Sequence, residues 1–125
     1  LLPKQLNLAQ SIEFAGMLSR FISALYSQDE TDAIAALQDL VAEPARTPLI
    51  PELPGLRAAL MTQGVLHLGI SGAGPTLFAL CPDDATATQA AAYLQQHYGK
   101  NADACTHICK LSSTGARALV KHEKL

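Results

Sequence analysis

The chain has 125 residues, 49% of them hydrophobic, with a net charge of −2 and a pI near 6.0. That length supports one domain with a real core and falls short of two. The near-neutral balance gives no electrostatic case for nucleic acid or an anionic membrane surface, and no apolar run reaches the ~18 residues of a membrane span.

The opening Leu1-Leu2-Pro3-Lys4-Gln5 lacks the basic start and apolar stretch of a secretory signal. Without an initiator methionine, it reads as part of something longer. From there, apolar spacing predicts a long helix over residues 5–28. Leu8, Ile12, Ala15, Leu18, Ile22 and Leu25 recur every three or four positions as its inner stripe, and Phe14, Met17 and Phe21 widen that face enough for more than one packing partner. Asp29-Glu30-Thr31-Asp32 suits the start of a second helix, with Ile34, Leu37, Leu40 and Val41 inward and Pro44 as its stop. Four prolines over residues 43–54 predict a stiff connector with one short helical turn. A third helix follows over residues 54–63, with Gly64 as its cap.

Val65-Leu66-His67-Leu68 and Leu77-Phe78-Ala79-Leu80-Cys81 are short apolar runs on either side of a glycine-rich loop, which predicts two antiparallel strands. Pro82-Asp83-Asp84 opens a fourth helix with Ala87, Ala90, Ala91, Leu94 and Tyr98 inward and Gly99 as its stop. A third strand is expected over residues 104–111, a turn over 112–115, a short last strand over 116–120 and a frayed tail beyond. Three helices followed by β-β-α-β predict an α+β fold, a small antiparallel sheet with helices on one face. The whole chain, residues 1–125, is read as one domain. A sheet this small needs edge cover, and a partner strand upstream of Leu1 would supply it.

The cysteines are Cys81, Cys105 and Cys109. On one strand, four residues separate Cα atoms by roughly 13 Å, beyond the about 7 Å that a disulfide spans. Reduced, buried thiols in a cytoplasmic protein are therefore expected.

The strongest candidate for chemistry is the loop Gly69-Ile70-Ser71-Gly72-Ala73-Gly74-Pro75-Thr76. It is not a Walker A loop, because no Gly-Lys-Ser/Thr follows. Nor is it a dinucleotide fingerprint, because a strand and not a helix follows. Spacing alone leaves two readings: a wide turn between strands, or a cradle of backbone N–H groups for an anion. Arg46, in the stiff connector, is either a solvated surface residue or a fork for a carboxylate or phosphate. No metal ligand set is read. His67 and His107 are expected to be partly buried with hydrogen-bonded rings, Ser71 to brace its loop through its hydroxyl, and Asp83 and Asp84 to cap a helix. Arg117 is a surface residue by default, within reach of a site.

The run Gly69-Ile70-Ser71-Gly72-Ala73-Gly74-Pro75-Thr76-Leu77-Phe78-Ala79-Leu80 resembles the third motif of the GHMP kinases, a superfamily of small-molecule kinases. Ala42-Glu43-Pro44-Ala45-Arg46, Leu1-Leu2-Pro3, His107-Ile108-Cys109 and Thr114-Gly115-Ala116-Arg117 resemble the corresponding parts of the bacterial homoserine kinases. The similarity runs along essentially the whole chain.

This resemblance implies a ferredoxin-like C-terminal domain of a GHMP kinase. The intact enzyme would use ATP and Mg²⁺ to phosphorylate L-homoserine to O-phospho-L-homoserine on the route to threonine, in the cytoplasm. It implies that Arg46 binds the homoserine carboxylate, and that Gly69, Ser71, Gly72, Ala73, Gly74, Pro75 and Thr76 close over the site. Ala73 stands where the family carries Ser or Ala. No catalytic residue and no metal ligand is expected in this chain. The nucleotide loop, the metal ligand and the main homoserine-binding residues would belong to an N-terminal kinase domain, the expected partner, and a second substrate arginine would stand just before Leu1. A homodimer is compatible with the sequence, which sets no oligomeric state. Two alternatives stay open: a free-standing ferredoxin-like module that binds an amino acid, and a GHMP kinase acting on another small alcohol.

Overall fold

The computed structural model describes residues 2–116. The expected last strand, the tail and Arg117 lie outside the described residues. The first helix, α1 (Leu8–Ser27), begins on a reciprocal cap. Asn7 Oδ1 accepts from the Gln10 N–H at 2.9 Å, and Gln10 Oε1 accepts from the Asn7 N–H at 3.1 Å, so two otherwise orphan donors are satisfied. Gln28 ends α1 in the left-handed region at φ 57°. Asp29 then caps α2 (Glu30–Ala36) by accepting from the Asp32 N–H at 2.9 Å. The two helices form a hairpin whose buried residues are Ala24, Ala33 and Ala36, and Arg20 Nε donates to Asp32 Oδ1 across its surface at 2.9 Å.

The inner stripe expected on α1 is not buried. Ile12 is 63% exposed and Leu25 56%. The residues turned inward are Met17, Phe21 and Ala24, a second apolar row that periodicity alone does not rank above the first. The expected end of α2 also moves. The helix stops at Ala36, because Asp39 takes the N–H groups of Val41 (2.9 Å) and Ala42 (2.6 Å) and starts a new short helix, α3 (Ala42–Arg46). A short acid that bonds its own downstream backbone competes with helix continuation. Pro44 therefore sits in the first turn of α3, where a missing N–H is harmless. A 3₁₀ turn over Thr47–Leu49 completes the connector.

Helix α4 (Leu53–Thr62) has Pro54 in its first turn, and Gly64 follows it at φ +90°. Leu53, Leu56 and Leu60 line one side of it and are the centre of the core, with Ile50, Val65, Leu68 and Ala90. Strands β1 (His67–Ile70) and β2 (Leu77–Leu80) pair antiparallel with Leu68 opposite Ala79 and Gly69 opposite Phe78. Leu68, Ile70, Leu77 and Ala79 meet the core side, where α4 and α5 (Asp84–His97) pack. Asp83 caps α5 by accepting from the Thr86 N–H at 2.7 Å, and Ala90 is its buried residue. The other sheet face, with His67, Gly69 and Phe78, looks across an open groove of about 560 Å³ toward Phe14, Met17 and Phe21 of α1.

Residues 104–111 do not form the expected third strand. They lie extended and almost wholly exposed along α5, with Thr106 Oγ1 bonded to Gln95 Oε1 at 2.9 Å and Lys110 Nζ 3.4 Å from Asp84 Oδ2. Strand propensity needs a ladder partner, and among the described residues none pairs with this segment. All three cysteines are free, but only Cys81 is half-buried; Cys105 and Cys109 are exposed, which corrects their expected burial, because the strand that would have covered them does not form.

Leu60 is fully buried and Ile12 is not. Leu60→Ala should cost about 2–5 kcal/mol in urea unfolding of the chain, whereas Ile12→Ala should stay within about 0.5 kcal/mol. Equal losses would place the core elsewhere.

Candidate functional site

The two parts of the sequence singled out for chemistry meet in space. Arg46 is the last residue of α3, and its Nη1 donates to the carbonyl of Gly72 at 2.5 Å, across 26 residues. The start of α3 is held by Asp39 and its end by Thr47, whose Oγ1 donates to the Glu43 carbonyl at 2.8 Å. Between Arg46 and the loop lies a cavity of about 260 Å³ lined by Arg46, Leu49, Ile50, Ala73, Gly74 and Pro75. The guanidinium has five N–H donors, so after serving Gly72 it still presents most of its fork.

The loop is built from backbone contacts. The Ser71 N–H donates to the Thr76 carbonyl at 2.8 Å and the Gly74 N–H to the Ser71 carbonyl at 3.1 Å. Gly72 (φ +60°) and Gly74 (φ +77°) supply left-handed turns that side chains disfavour, and the Gly74–Pro75 peptide is cis. Gly69 answers a different need. It is buried in β1, and a Cβ there would fall 2.8 Å from the Phe78 ring and 2.9 Å from His67 Nε2. The Ser71 hydroxyl, expected to brace the loop, makes no hydrogen bond among the described residues; its backbone braces the loop in its place. The amides of Gly72 and Ala73 likewise have no partner among them.

Two supports escaped the sequence reading. Arg57 on α4 donates from Nε (3.0 Å) and Nη2 (2.7 Å) to the Leu68 carbonyl, and from Nη2 to Glu43 Oε1 at 2.7 Å. Tyr98, expected only as an apolar contact, donates its hydroxyl to the Pro75 carbonyl at 2.5 Å. Burial, with Glu52 nearby, raises the Tyr98 pKa, so it is a donor at neutral pH. Nothing local marks Arg57, since its partners are 14 and 11 residues away.

The remaining candidates fall outside this cluster. His67 is half-buried beside the Phe78 ring, with centroids 5.6 Å apart, and its ring has no hydrogen bond among the described residues. His107 is exposed, which corrects its expected burial. Burial, and then the charge of Asp83, pushes the Cys81 thiol up, so it stays protonated and unreactive. Asp83 caps α5, and Asp84 sits in that helix's first turn. Among the described residues, no three His, Cys, Asp or Glu side chains converge as metal ligands, and no helix is long and apolar enough to cross a membrane.

Comparison with known proteins adds two findings. The family described as GHMP kinases C terminal matches residues 21–100. A crystal structure of homoserine kinase from Cytophaga hutchinsonii superposes with a TM-score of 0.70 at 31% identity, over 78% of this chain and 31% of that one. The chain thus spans about a third of the length of that kinase.

His67 gives the fold a pH signature. Burial first, and the neighbouring Arg57 second, hold its imidazole below the ordinary histidine pKa. The unfolded chain therefore binds the proton more readily. Stability is full above the unfolded value of about 6.5 and is lost as pH falls toward the folded one. Asp32 and Asp83 are held below the usual carboxylate range, by the Arg20 hydrogen bond and the Thr86 N–H respectively, and titrate outside this window. Urea midpoints measured from pH 8 to pH 5 should fall below about pH 6.5, and His67→Leu should flatten that fall. An unchanged slope in the variant would assign it to another group.

Proposed function

The chain belongs to the GHMP kinase C-terminal domain family, and from that premise we propose that it is the C-terminal domain of an ATP-dependent homoserine kinase. The observation that carries the substrate reading is the meeting of Arg46 with the glycine loop around one small cavity. A guanidinium held on a short helix with much of its fork free is suited to a carboxylate, which it grips bidentately. Homoserine offers that carboxylate at one end and the reacting hydroxyl at the other.

In this reading Arg46 fixes the carboxylate, and Gly69, Ser71, Gly72, Ala73, Gly74, Pro75 and Thr76 form the wall against which the substrate lies. The free amides of Gly72 and Ala73 suit the neighbourhood of an anionic phosphate. Transfer makes a bond from the homoserine hydroxyl oxygen to the γ-phosphorus of ATP and breaks the bridging bond to the β-phosphate, releasing ADP. Little of such a transfer is covalent chemistry by the protein, and most is positioning and electrostatics. Mg²⁺ in these reactions neutralises phosphate charge. The donors at this cavity are a guanidinium and amides, not carboxylates, so they fit the anions and not the cation. The metal ligands and the groups that handle the proton are assigned to an N-terminal domain beyond this chain. The open apolar row on α1 supports a role inside a larger protein, because large exposed apolar patches mark interaction surfaces. The product, O-phospho-L-homoserine, would enter threonine synthesis in the cytoplasm.

In the full-length kinase, Arg46→Ala should raise the homoserine KM by about 10- to 100-fold, the loss expected for one charge-assisted pair, and leave the ATP KM near wild type. An unchanged homoserine KM removes Arg46 from the site. A higher turnover with another small alcohol in a substrate panel would reassign the substrate within the family.

The 125-residue chain by itself should give no phosphoryl transfer from ATP to homoserine in a coupled ADP assay. Robust turnover would overturn the division of labour between the two domains.

A further inference from the structure

We infer that Arg57 is a positioning residue for substrate binding: it holds Arg46 in register with the glycine loop without itself reaching the cavity. The inference rests on the reading of Arg46 as the carboxylate ligand. Its basis is a single guanidinium that joins three elements. Arg57 sits in the middle of α4, whose Leu53, Leu56 and Leu60 anchor that helix in the core. From this fixed base it donates twice to the Leu68 carbonyl and once to Glu43 Oε1. Glu43 lies one turn before Arg46 on α3. Leu68 directly precedes Gly69, where the glycine motif begins. The two ends of the clamp therefore lie on the two elements that lead into the walls of the candidate site.

The geometry has little slack. Leu68 is fully buried, and its carbonyl leaves the edge of β1 that β2 does not cover, so Arg57 stands where a neighbouring strand would bond. Glu43 is only 17% exposed at the side chain. Helix α3 is five residues long and fully buries none of them, so packing alone gives it a weak hold. Its own ends are held by Asp39 and Thr47, and among the described residues its side-chain hydrogen bonds to the rest of the fold are the Arg57–Glu43 pair and the Arg46–Gly72 bond. Without the first of these two bonds, the tip of the residue that must bind substrate carries the other alone. Arg46 then has to spend its fork on the loop and on its own placement.

A planar fork that serves a carbonyl and a carboxylate together is a task lysine does poorly, because its ammonium is a point donor on a flexible stem. In the full-length kinase, Arg57→Lys should raise the homoserine KM about tenfold, since small misplacements of a positioning group have effects of this order or larger. The ATP KM should stay within about twofold of wild type, because the residue acts on one substrate only. Glu43→Gln, which keeps the shape and removes the charge, should show the same split to a smaller extent and serves if Arg57→Lys fails to fold. Because the effect runs through Arg46, combining Arg57→Lys with Arg46→Ala should add nothing to the homoserine KM of Arg46→Ala alone. Additive losses, or equal rises in both KM values, would make Arg57 a general structural residue and overturn the inference. If Arg46→Ala raises the homoserine KM while neither Arg57→Lys nor Glu43→Gln does, the positioning role fails and the carboxylate assignment stands. If Arg46→Ala has no effect, the assignment itself fails.

Discussion

The burial of α4 against β1 is the contact on which the rest depends. Leu53, Leu56 and Leu60 present one side of the helix to Leu68, and all but Leu56 are at zero exposure. With a two-stranded sheet, cross-strand pairing alone is marginal in water, so the ladder persists because the helix seals one of its faces. The same contact aims the neighbouring residue. Arg57 follows Leu56 directly, and from the flank of the packed face its guanidinium arrives at the strand edge. Apolar packing thus does the placing, and the polar clamp converts that placement into a fixed distance between α3 and the glycine loop.

Much of this was legible in the sequence wherever local chemistry decides the outcome. Asp29 and Asp83 cap the helices they precede, Pro54 and Gly64 bracket α4, and the apolar runs around the loop pair antiparallel as expected, with the first strand set two residues later so that Gly69 and Ile70 belong to it. The failures share one cause, a choice that distant residues make. On α1 two apolar rows satisfy the same period, and only the approach of α2 selects Met17, Phe21 and Ala24 over Ile12, Ile22 and Leu25. The segment 104–111 has strand composition but no ladder partner among the described residues, so its propensity goes unused. Arg57 and Glu43 are unremarkable until the fold sets them 2.7 Å apart. The Asp39 cap is the exception, because a short acid that bonds the N–H groups two and three residues on is a local signal.

Gly69 separates two reasons for glycine that a motif merges. Gly72 and Gly74 have positive φ and shape the turn. Gly69 needs no unusual backbone angle; it needs room, because the Phe78 and His67 side chains close over its Cα. That pair forms the rim of the larger groove beside α1. Any side chain at position 69 would have to displace these two rings from the rim.

The loop can now be weighed against the phosphate cradles its composition suggests. A cradle that binds an anion by itself needs several converging amides or a helix N-terminus behind it. Here the loop leads into a strand, and two of its amides are consumed internally by the Thr76 and Ser71 carbonyls. Those of Gly72, Ala73 and Thr76 have no partner among the described residues. Positive charge comes instead from Arg46, anchored on the Gly72 carbonyl. That bond has a consequence for strength. An acceptor on the loop neutralises no charge, so the guanidinium remains a full cation facing the cavity, while its position is set by a group that moves with the loop. One bond thus ties the cation to the loop and keeps it at the mouth of the cavity.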